Sequence, residues 1–142
     1  MENEAMRELK RIILHCSATP EGREVTVDEI RKWHKRRKFK DIGYHFVIDL
    51  EGNIHKGRRI EEVGAHTKGE NRDSIGVCYV GGCDEDMNPK DTLNAKQAGA
   101  FVLLVTALRR QYGQLSIHGH NEFANKACPS FDVKQKFGWL DE

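Results

Sequence analysis

The sequence predicts an α/β fold in which a single central mixed β-sheet is flanked by helices. Short apolar runs bounded by turn residues indicate buried strands, and two segments that follow capping boxes indicate helices. These segments alternate in the order β, α, β, β, β, α, β, α, which favours one mixed sheet with helices packed on it. The chain has 142 residues, of which 38% are hydrophobic, enough for a single core.

The N-terminal half contains three predicted strands and one helix. Residues 10–16 (KRIILHC) form a short apolar run typical of a buried strand. A T-x-x-E capping box then predicts a helix over residues 27–37. Residues 44–50 and 53–56 flank a Glu-Gly turn and predict a β-hairpin. Alternation along its first strand places three side chains on one face, namely Tyr44, Phe46 and Ile48.

The C-terminal half begins with a second apolar strand, predicted over residues 74–80 (SIGVCYV). An N-x-x-Q capping box at Asn94 starts a long helix that Gly113 ends. A short strand over residues 115–118 follows, and Asp132 is the expected N-cap of a last helix.

Composition limits the class of protein. Residues 1–9 predict a flexible N-terminal arm, and residues 10–142 predict one domain. Because the chain has 23 basic and 22 acidic residues, we expect no nucleic-acid partner. We also expect a monomer. The apolar runs are too short to span a membrane, so we do not expect membrane insertion. The polar N-terminus lacks a secretory signal, so we expect a cytoplasmic location in the producing cell. The four cysteines are then expected to be reduced.

One segment departs from this neutral balance. Residues 31–40 (RKWHKRRKFK) carry seven Lys or Arg residues. A solvated helix face is the simpler interpretation, and electrostatic attraction to an anionic cell wall or to nucleic acid is the alternative.

Residues 118–128 (HGHNEFANKAC) bring imidazole and thiol groups into an irregular stretch that can curl around an ion. Zinc accepts nitrogen and sulfur ligands, and a catalytic zinc site has three protein ligands and one open position. His15 is the best candidate for a ligand from elsewhere, because it ends a strand predicted to be central. Spacing alone does not choose between His118 and His120, and a structural role for His118 and Cys128 stays open.

Other zinc patterns do not fit. The H-E-x-x-H motif of many metalloproteases is absent. His120 and Glu122 match the H-x-E of zinc deaminases, but the accompanying P-C-x-x-C is missing. A finger-type structural site would need a fourth ligand and a C-x-x-C pair, which the sequence lacks.

Several motifs together resemble the zinc N-acetylmuramoyl-L-alanine amidases, a family that includes small phage lysozymes and animal peptidoglycan recognition proteins. The similarity runs in order through nearly the whole chain. The motifs that carry it are residues 13–19 (ILHCSAT), 43–46 (GYHF), 64–69 (GAHTKG), 74–78 (SIGVC), 81–82 (GG) and 126–132 (KACPSFD).

The resemblance implies a set of site residues. It implies one zinc ion (Zn2+) per chain, with His15, His120 and Cys128 as ligands, and so favours His120 over His118. It implies Tyr44 and Lys126 as catalytic side chains. It also places two candidate substrate-binding residues in a loop that resembles the family's cleft, His66 and Asn71.

The resemblance also implies the reaction, which is hydrolysis of the amide bond between N-acetylmuramic acid and L-alanine in peptidoglycan. Zinc would activate a water and polarise the carbonyl, and Lys126 would stabilise the oxyanion. Tyr44 would donate a hydrogen bond to that oxygen or orient the water. If His15 and Tyr44 face the metal, strand alternation turns Cys16 and His45 away from it. A phage or prophage enzyme of this kind acts on the cell wall after release.

Two alternatives belong to a different functional class. One is a non-catalytic peptidoglycan-binding protein on the same fold, against which the presence of Cys128 argues. The other is a regulatory interaction protein that uses the N-terminal arm or the basic helix, and the sequence does not exclude such a partner.

Overall fold

The computed structural model describes residues 7–142. Seven strands and three α-helices are present there, joined by three short 3₁₀ turns. The strands are β1 (Arg11–Cys16), β2 (Thr19–Pro20), β3 (Phe46–Ile48), β4 (Ile54–Lys56), β5 (Ser74–Tyr79), β6 (Gly82–Cys83) and β7 (Ser116–Gly119). The helices are α1 (Val27–Arg36), α2 (Ala95–Tyr112) and α3 (Val133–Phe137), and the 3₁₀ turns are Asn71–Asp73, His120–Glu122 and Gly138–Asp141.

The central sheet is mixed and has the strand order β4-β3-β5-β1-β7. Strand β1 pairs in parallel with β5 and with β7, β3 pairs in parallel with β5, and only β4 is antiparallel to its neighbour. The carboxyl ends of β1 and β7 therefore lie at the same edge of the sheet. In open α/β sheets this edge is where ligands bind.

Helices cover both faces of the sheet, which confirms the predicted fold class. Alternation in β1 directs Ile12 and Leu14 into a core that also holds Phe101 of α2 and Phe137 of α3. Burying an aromatic side chain of this size stabilises the fold by roughly 2–3 kcal/mol. The opposite face packs against α1 through Ile30 and other buried side chains. His15 projects from this second face.

The predicted caps are confirmed. Thr26 accepts a hydrogen bond from the amide of Glu29 and closes a capping box, and Asn94 does the same with Gln97. Asp132 accepts from the amide of Gln135 and begins α3. Each cap contributes about 1 kcal/mol by satisfying amides that the first helical turn leaves unpaired.

Two details of the sequence interpretation were wrong. Tyr44 does not share a face with Phe46 and Ile48, because the chain bends at His45 before β3 begins. Tyr44 packs on the α1 side of the sheet, whereas the other two pack on the α2 side. The two-residue strands β2 and β6, which form a separate small sheet, were not predicted, because so short a segment leaves no periodic pattern.

Most of the predicted N-terminal arm, residues 1–6, lies outside the described residues. Within the described part, Arg7 is tied to the domain by its guanidinium, which donates to the carbonyl oxygens of Ile60 (3.0 Å), Asn71 (3.3 Å) and Ser74 (2.9 Å). Leu9 packs against the main core. In residues 7–142, none of the helices combines the length and apolarity needed to cross a membrane.

Candidate active site

Three potential metal ligands meet at the carboxyl edge of the central sheet. His15 is the penultimate residue of β1, His120 directly follows β7, and Cys128 comes from the loop before α3. One ligand atom from each lies within 4.8 Å of the other two. The Cys128 Sγ lies 3.8 Å from His15 Nδ1, and the rings of His15 and His120 are 4.6 Å apart. The parallel pairing of β1 with β7 brings the two distant ends of the chain together here.

The geometry favours His120 over His118 as a ligand. His118 lies within β7, where its Nδ1 contacts Glu122 Oε1 at 2.9 Å and its Nε2 contacts Ser116 Oγ at 2.7 Å. Both of its nitrogens therefore have partners at the outer edge of the sheet. His120 lies just beyond the end of the strand, beside the other two ligands.

Behind His15 lies a second histidine. The Nε2 of His15 is 2.9 Å from His66 Nδ1 and 3.2 Å from Thr67 Oγ1, while its Nδ1 faces Cys128. His66 packs directly over Gly76 of β5, where a Cβ atom would come within 2.5 Å of the imidazole. Residue 76 must therefore be glycine if His66 is to keep this position.

The second predicted substrate-binding residue, Asn71, holds this loop together. Its Oδ1 accepts from the backbone amides of His66 (3.0 Å) and Thr67 (2.9 Å). Both His66 and Asn71 thus use side-chain atoms on partners inside the protein. A role in binding substrate stays a prediction for these two residues.

The cluster consists of neutral electron-pair donors. Burial, with the nearby imidazoles of His66 and His120, holds the pKa of His15 well below its usual value. Burial and the Lys126 ammonium lower the pKa of His120 in the same direction. Contact with the Cys16 thiol and burial raise the pKa of Cys128, although the Cys16 amide donates to its Sγ at 3.2 Å. A cation held by the two unprotonated imidazoles would also favour the thiolate form of Cys128.

This donor set fits zinc. Zinc–nitrogen distances of about 2.0 Å and zinc–sulfur distances of about 2.3 Å at tetrahedral angles place ligand atoms about 3.5 Å apart. The 3.8 Å separation of Cys128 Sγ and His15 Nδ1 is close to that value. Three protein ligands also leave one position of a tetrahedron open, as a catalytic zinc site requires.

Two further predicted residues flank the cluster. The ring of Tyr44 lies 5.0 Å from that of His15, and burial together with the thiols of Cys78 and Cys128 raises its pKa well above the usual value. Tyr44 therefore remains a neutral hydrogen-bond donor. Lys126 is exposed two residues before Cys128, and its charge reaches both histidines of the cluster.

The two neighbours predicted to face away from the metal lie outside the ligand set. Cys16 packs in the core on the α2 side, from where it contacts Cys128. His45 is also buried, where its Nδ1 accepts from the Gly76 amide at 3.0 Å and its Nε2 donates to the Glu62 carbonyl at 2.8 Å.

Sequence reasoning missed a residue behind Tyr44. His34 of α1 lies with its ring 5.2 Å from that of Tyr44, and its Nδ1 accepts from the Gly43 amide at 2.8 Å. Burial, with Arg37 and Arg58, lowers the pKa of His34 to about 4, so it is neutral near pH 7. The only signal for it was its position on the inner stripe of the helix, which predicts burial and not a role at the site.

The chain matches the family model described as N-acetylmuramoyl-L-alanine amidase over residues 5–131. It is 43% identical over 129 residues to the endolysin of Klebsiella phage KP32, covering 91% of this chain and 85% of that one. The endolysin of Escherichia phage T7 is 43% identical over 124 residues, covering 87% and 82%. A peptidoglycan-recognition protein of Drosophila melanogaster is 32% identical over 131 residues, covering 88% and 70%.

Solved structures show the same fold. The N-acetylmuramoyl-L-alanine amidase LysC from Clostridium intestinale superposes with a TM-score of 0.77 at 24% identity, covering 96% of this chain and 95% of that one. Drosophila PGRP-LB superposes with a TM-score of 0.78 at 23% identity, covering 94% and 81%. With the family match over most of its length, the chain belongs to the N-acetylmuramoyl-L-alanine amidases.

Proposed function

We propose that this amidase is zinc-dependent and serves as an endolysin, cleaving the bond between N-acetylmuramic acid and L-alanine to lyse the cell wall. The observation that carries the proposal is the convergence of His15, His120 and Cys128 within 4.8 Å, beside Tyr44 and Lys126. The phage endolysins at 43% identity support the lytic role.

His15, His120 and Cys128 would hold the ion. When bound, zinc supplies Lewis-acid polarisation of the scissile carbonyl and an activated water as nucleophile. The lowered pKa values of the two histidines keep their lone pairs available at neutral pH. A neutral His15 that offers Nδ1 to a metal carries its proton on Nε2 and donates it to His66 Nδ1, which fixes the orientation of the ring.

Tyr44 and Lys126 would act on the substrate. Tyr44 keeps its proton because its pKa is raised, so it can donate a hydrogen bond to the carbonyl oxygen or orient the attacking water. Lys126 is exposed and positively charged beside the cluster, where it can stabilise an oxyanion electrostatically. The His34 ring packs against Tyr44 and would help to position it. Its hydrogen bond from the Gly43 amide also connects α1 to the segment that contains Tyr44.

The remaining expectations belong to the same proposal. Peptidoglycan is the proposed substrate, reached after release of the protein from the producing cell. A monomer is sufficient, because all five proposed site residues come from one chain. A regulatory protein partner stays an open alternative.

Digestion of purified peptidoglycan tests the function. We expect new N-terminal L-alanine amines to appear without new reducing sugar ends, because the bond cleaved is an amide and not a glycosidic bond. Cys128→Ser, which removes a ligand, should abolish this release. New reducing ends with no new L-alanine termini would exclude the amidase activity proposed here.

A further inference from the structure

The segment that contains Cys128 is held by individual contacts and not by regular secondary structure. It lies between β7 and α3. The amide of Ser130 donates to the carbonyl oxygen of Ala127 at 2.6 Å and closes a turn over residues 127–130, which we call the Cys128 turn. Ser130 has a left-handed backbone (φ 76°), and its Oγ donates to the Gly82 carbonyl at 2.8 Å. The position of the Cys128 thiol therefore depends on the contacts that fix this turn.

A buried tyrosine donates a hydrogen bond to the Cys128 turn from the core. Tyr79 is the last residue of β5, and its side chain is completely buried on the α2 side of the sheet. Its Oη lies 2.7 Å from the carbonyl oxygen of Pro129, the residue that follows Cys128. Because a carbonyl oxygen can only accept, the phenol is the donor. Since Pro129 is itself buried, solvent does not readily replace this donor.

Packing alone does not require the hydroxyl of Tyr79. The other β5 side chains on this face, Ile75 and Val77, are apolar. A phenylalanine ring would fill nearly the same volume, and burying a hydroxyl costs free energy unless it is hydrogen-bonded. The bond to Pro129 offsets that cost, so the hydroxyl contributes through the Cys128 turn.

The strand register explains how Tyr79 comes to lie beside the proposed metal site. Strands β1 and β5 pair in parallel, with His15 opposite Cys78 and Cys16 opposite Tyr79. His15 is a proposed ligand, and the amide of Cys16 donates to the Cys128 Sγ at 3.2 Å. The paired ends of these two strands thus fix one ligand directly and contact the segment of a second ligand at two points.

We propose that Tyr79 is a positioning residue for the metal ligand Cys128, acting through its hydrogen bond to Pro129. This inference rests on the proposed zinc site and adds a residue outside the ligands and the proposed catalytic side chains. A metal site requires its ligand atoms to be held within about 0.5 Å of the productive geometry. A thiol on an irregular turn meets that requirement only when the turn is anchored, and the Tyr79 hydroxyl anchors it to the core.

The experiment compares wild type with Tyr79→Phe, which removes the hydroxyl and keeps the ring. The matched control is Gln97→Met, because Gln97 is also completely buried and donates to a backbone carbonyl outside the Cys128 turn, that of Val80 at 2.9 Å. Zinc dissociation constants are measured by competition with a chelator. The rate at which an aromatic disulfide reagent modifies the thiols is measured in metal-free protein, and Cys128→Ser identifies the kinetic phase of Cys128. Both measurements use a temperature at which circular dichroism shows every variant to be folded.

We expect Tyr79→Phe to raise the zinc dissociation constant about 10-fold, as for loss of a group that orients a ligand. Gln97→Met should stay within about twofold of wild type. In metal-free Tyr79→Phe, Cys128 should react up to about 10-fold faster than in wild type, because the turn opens more often. In cobalt-substituted protein, the thiolate charge-transfer band should shift or weaken in Tyr79→Phe alone, which a general loss of stability would not cause.

Two results would contradict this role. An unchanged zinc affinity in Tyr79→Phe would show that the hydrogen bond to Pro129 does not position Cys128. Equal changes in Tyr79→Phe and Gln97→Met would assign the effect to a general loss of stability. If wild type does not bind zinc, the proposed zinc site fails, and the thiol reaction of metal-free protein then decides the role of Tyr79, with equal rates in wild type and Tyr79→Phe contradicting it.

Discussion

The Nε2 atom of His15 lies 2.9 Å from the Nδ1 atom of His66, so one proposed metal ligand is held by a second imidazole. Thr67 Oγ1 contacts both of these nitrogens, at 3.2 Å and 2.9 Å. The loop of residues 64–69 therefore contacts the proposed metal site through His15. We expect substitutions in this loop to change the affinity for the metal first.

Replacing His66 by Ala should weaken zinc binding about 10- to 100-fold, because His15 loses the acceptor that fixes its ring. The dissociation constant can be measured by competition with a chromophoric chelator. His118→Ala is the control, since His118 lies at the edge of β7 with its own partners and should leave the affinity within about twofold. Wild-type affinity in His66→Ala would show that the contact does not support the ligand.

Lys126→Ala should separate metal binding from turnover. Because Lys126 is exposed and is not a proposed ligand, the variant should retain one zinc per chain while kcat falls about 100-fold or more, as for loss of oxyanion stabilisation. Lys134→Ala, which removes an exposed lysine paired with Glu122, is the matched control. Full activity in Lys126→Ala would exclude its proposed role.

His45 predicts how stability depends on pH. Burial, with Arg7 and Arg58, lowers its pKa to about 4 from 6.5, against the opposing hydrogen bond to the Glu62 carbonyl. Since the unfolded chain then binds the proton more readily, the stability is fully present above about pH 6.5 and is lost as the pH falls towards 4.

The cost attributable to His45 should reach about 2.5 kcal/mol at about pH 4.5, and urea unfolding at about pH 7 and about pH 4.5 measures it. His45→Asn removes the titrating group, so the variant should lose less stability between these two values than wild type does. The same loss in both proteins would assign the acid sensitivity to other groups.

Arg58 is a buried cation that holds the backbone around Tyr44. Its guanidinium donates to the carbonyl oxygens of Ile42 (2.9 Å), Val63 (2.8 Å) and Asp41 (3.3 Å). Arg58→Ala leaves these acceptors unpaired and should lower the free energy of unfolding by about 3 kcal/mol. The adjacent Arg59→Ala, at an exposed position paired with Glu61, should change it by less than about 1 kcal/mol. Equal effects in chemical denaturation would contradict the structural role of Arg58.

The fold and the candidate ligands could be predicted from the sequence because both leave strong local signals. Capping boxes located α1 and α2, and apolar runs located β1 and β5. Ordered motifs supplied the grouping of His15 with His120 and Cys128, which spacing alone left open.

Other features depend on contacts between distant segments. The bend at His45 places Tyr44 on the opposite face of the sheet from the predicted one, and the alternation pattern does not predict this bend. His34 supports Tyr44 from a helix, and Asn71 holds the loop of His66, only because the folded chain brings those segments together. Such partners carry no periodic signal, so they required the structure.

Zinc titration of metal-free protein, with release of L-alanine-headed peptide as the readout, tests the central claim most directly. We predict that activity rises in proportion to added zinc and saturates at one equivalent per chain, and that Cys128→Ser shows no such break. Full activity in protein freed of metal, or the same saturation curve in Cys128→Ser, would contradict the claim that His15, His120 and Cys128 hold the ion on which cleavage depends.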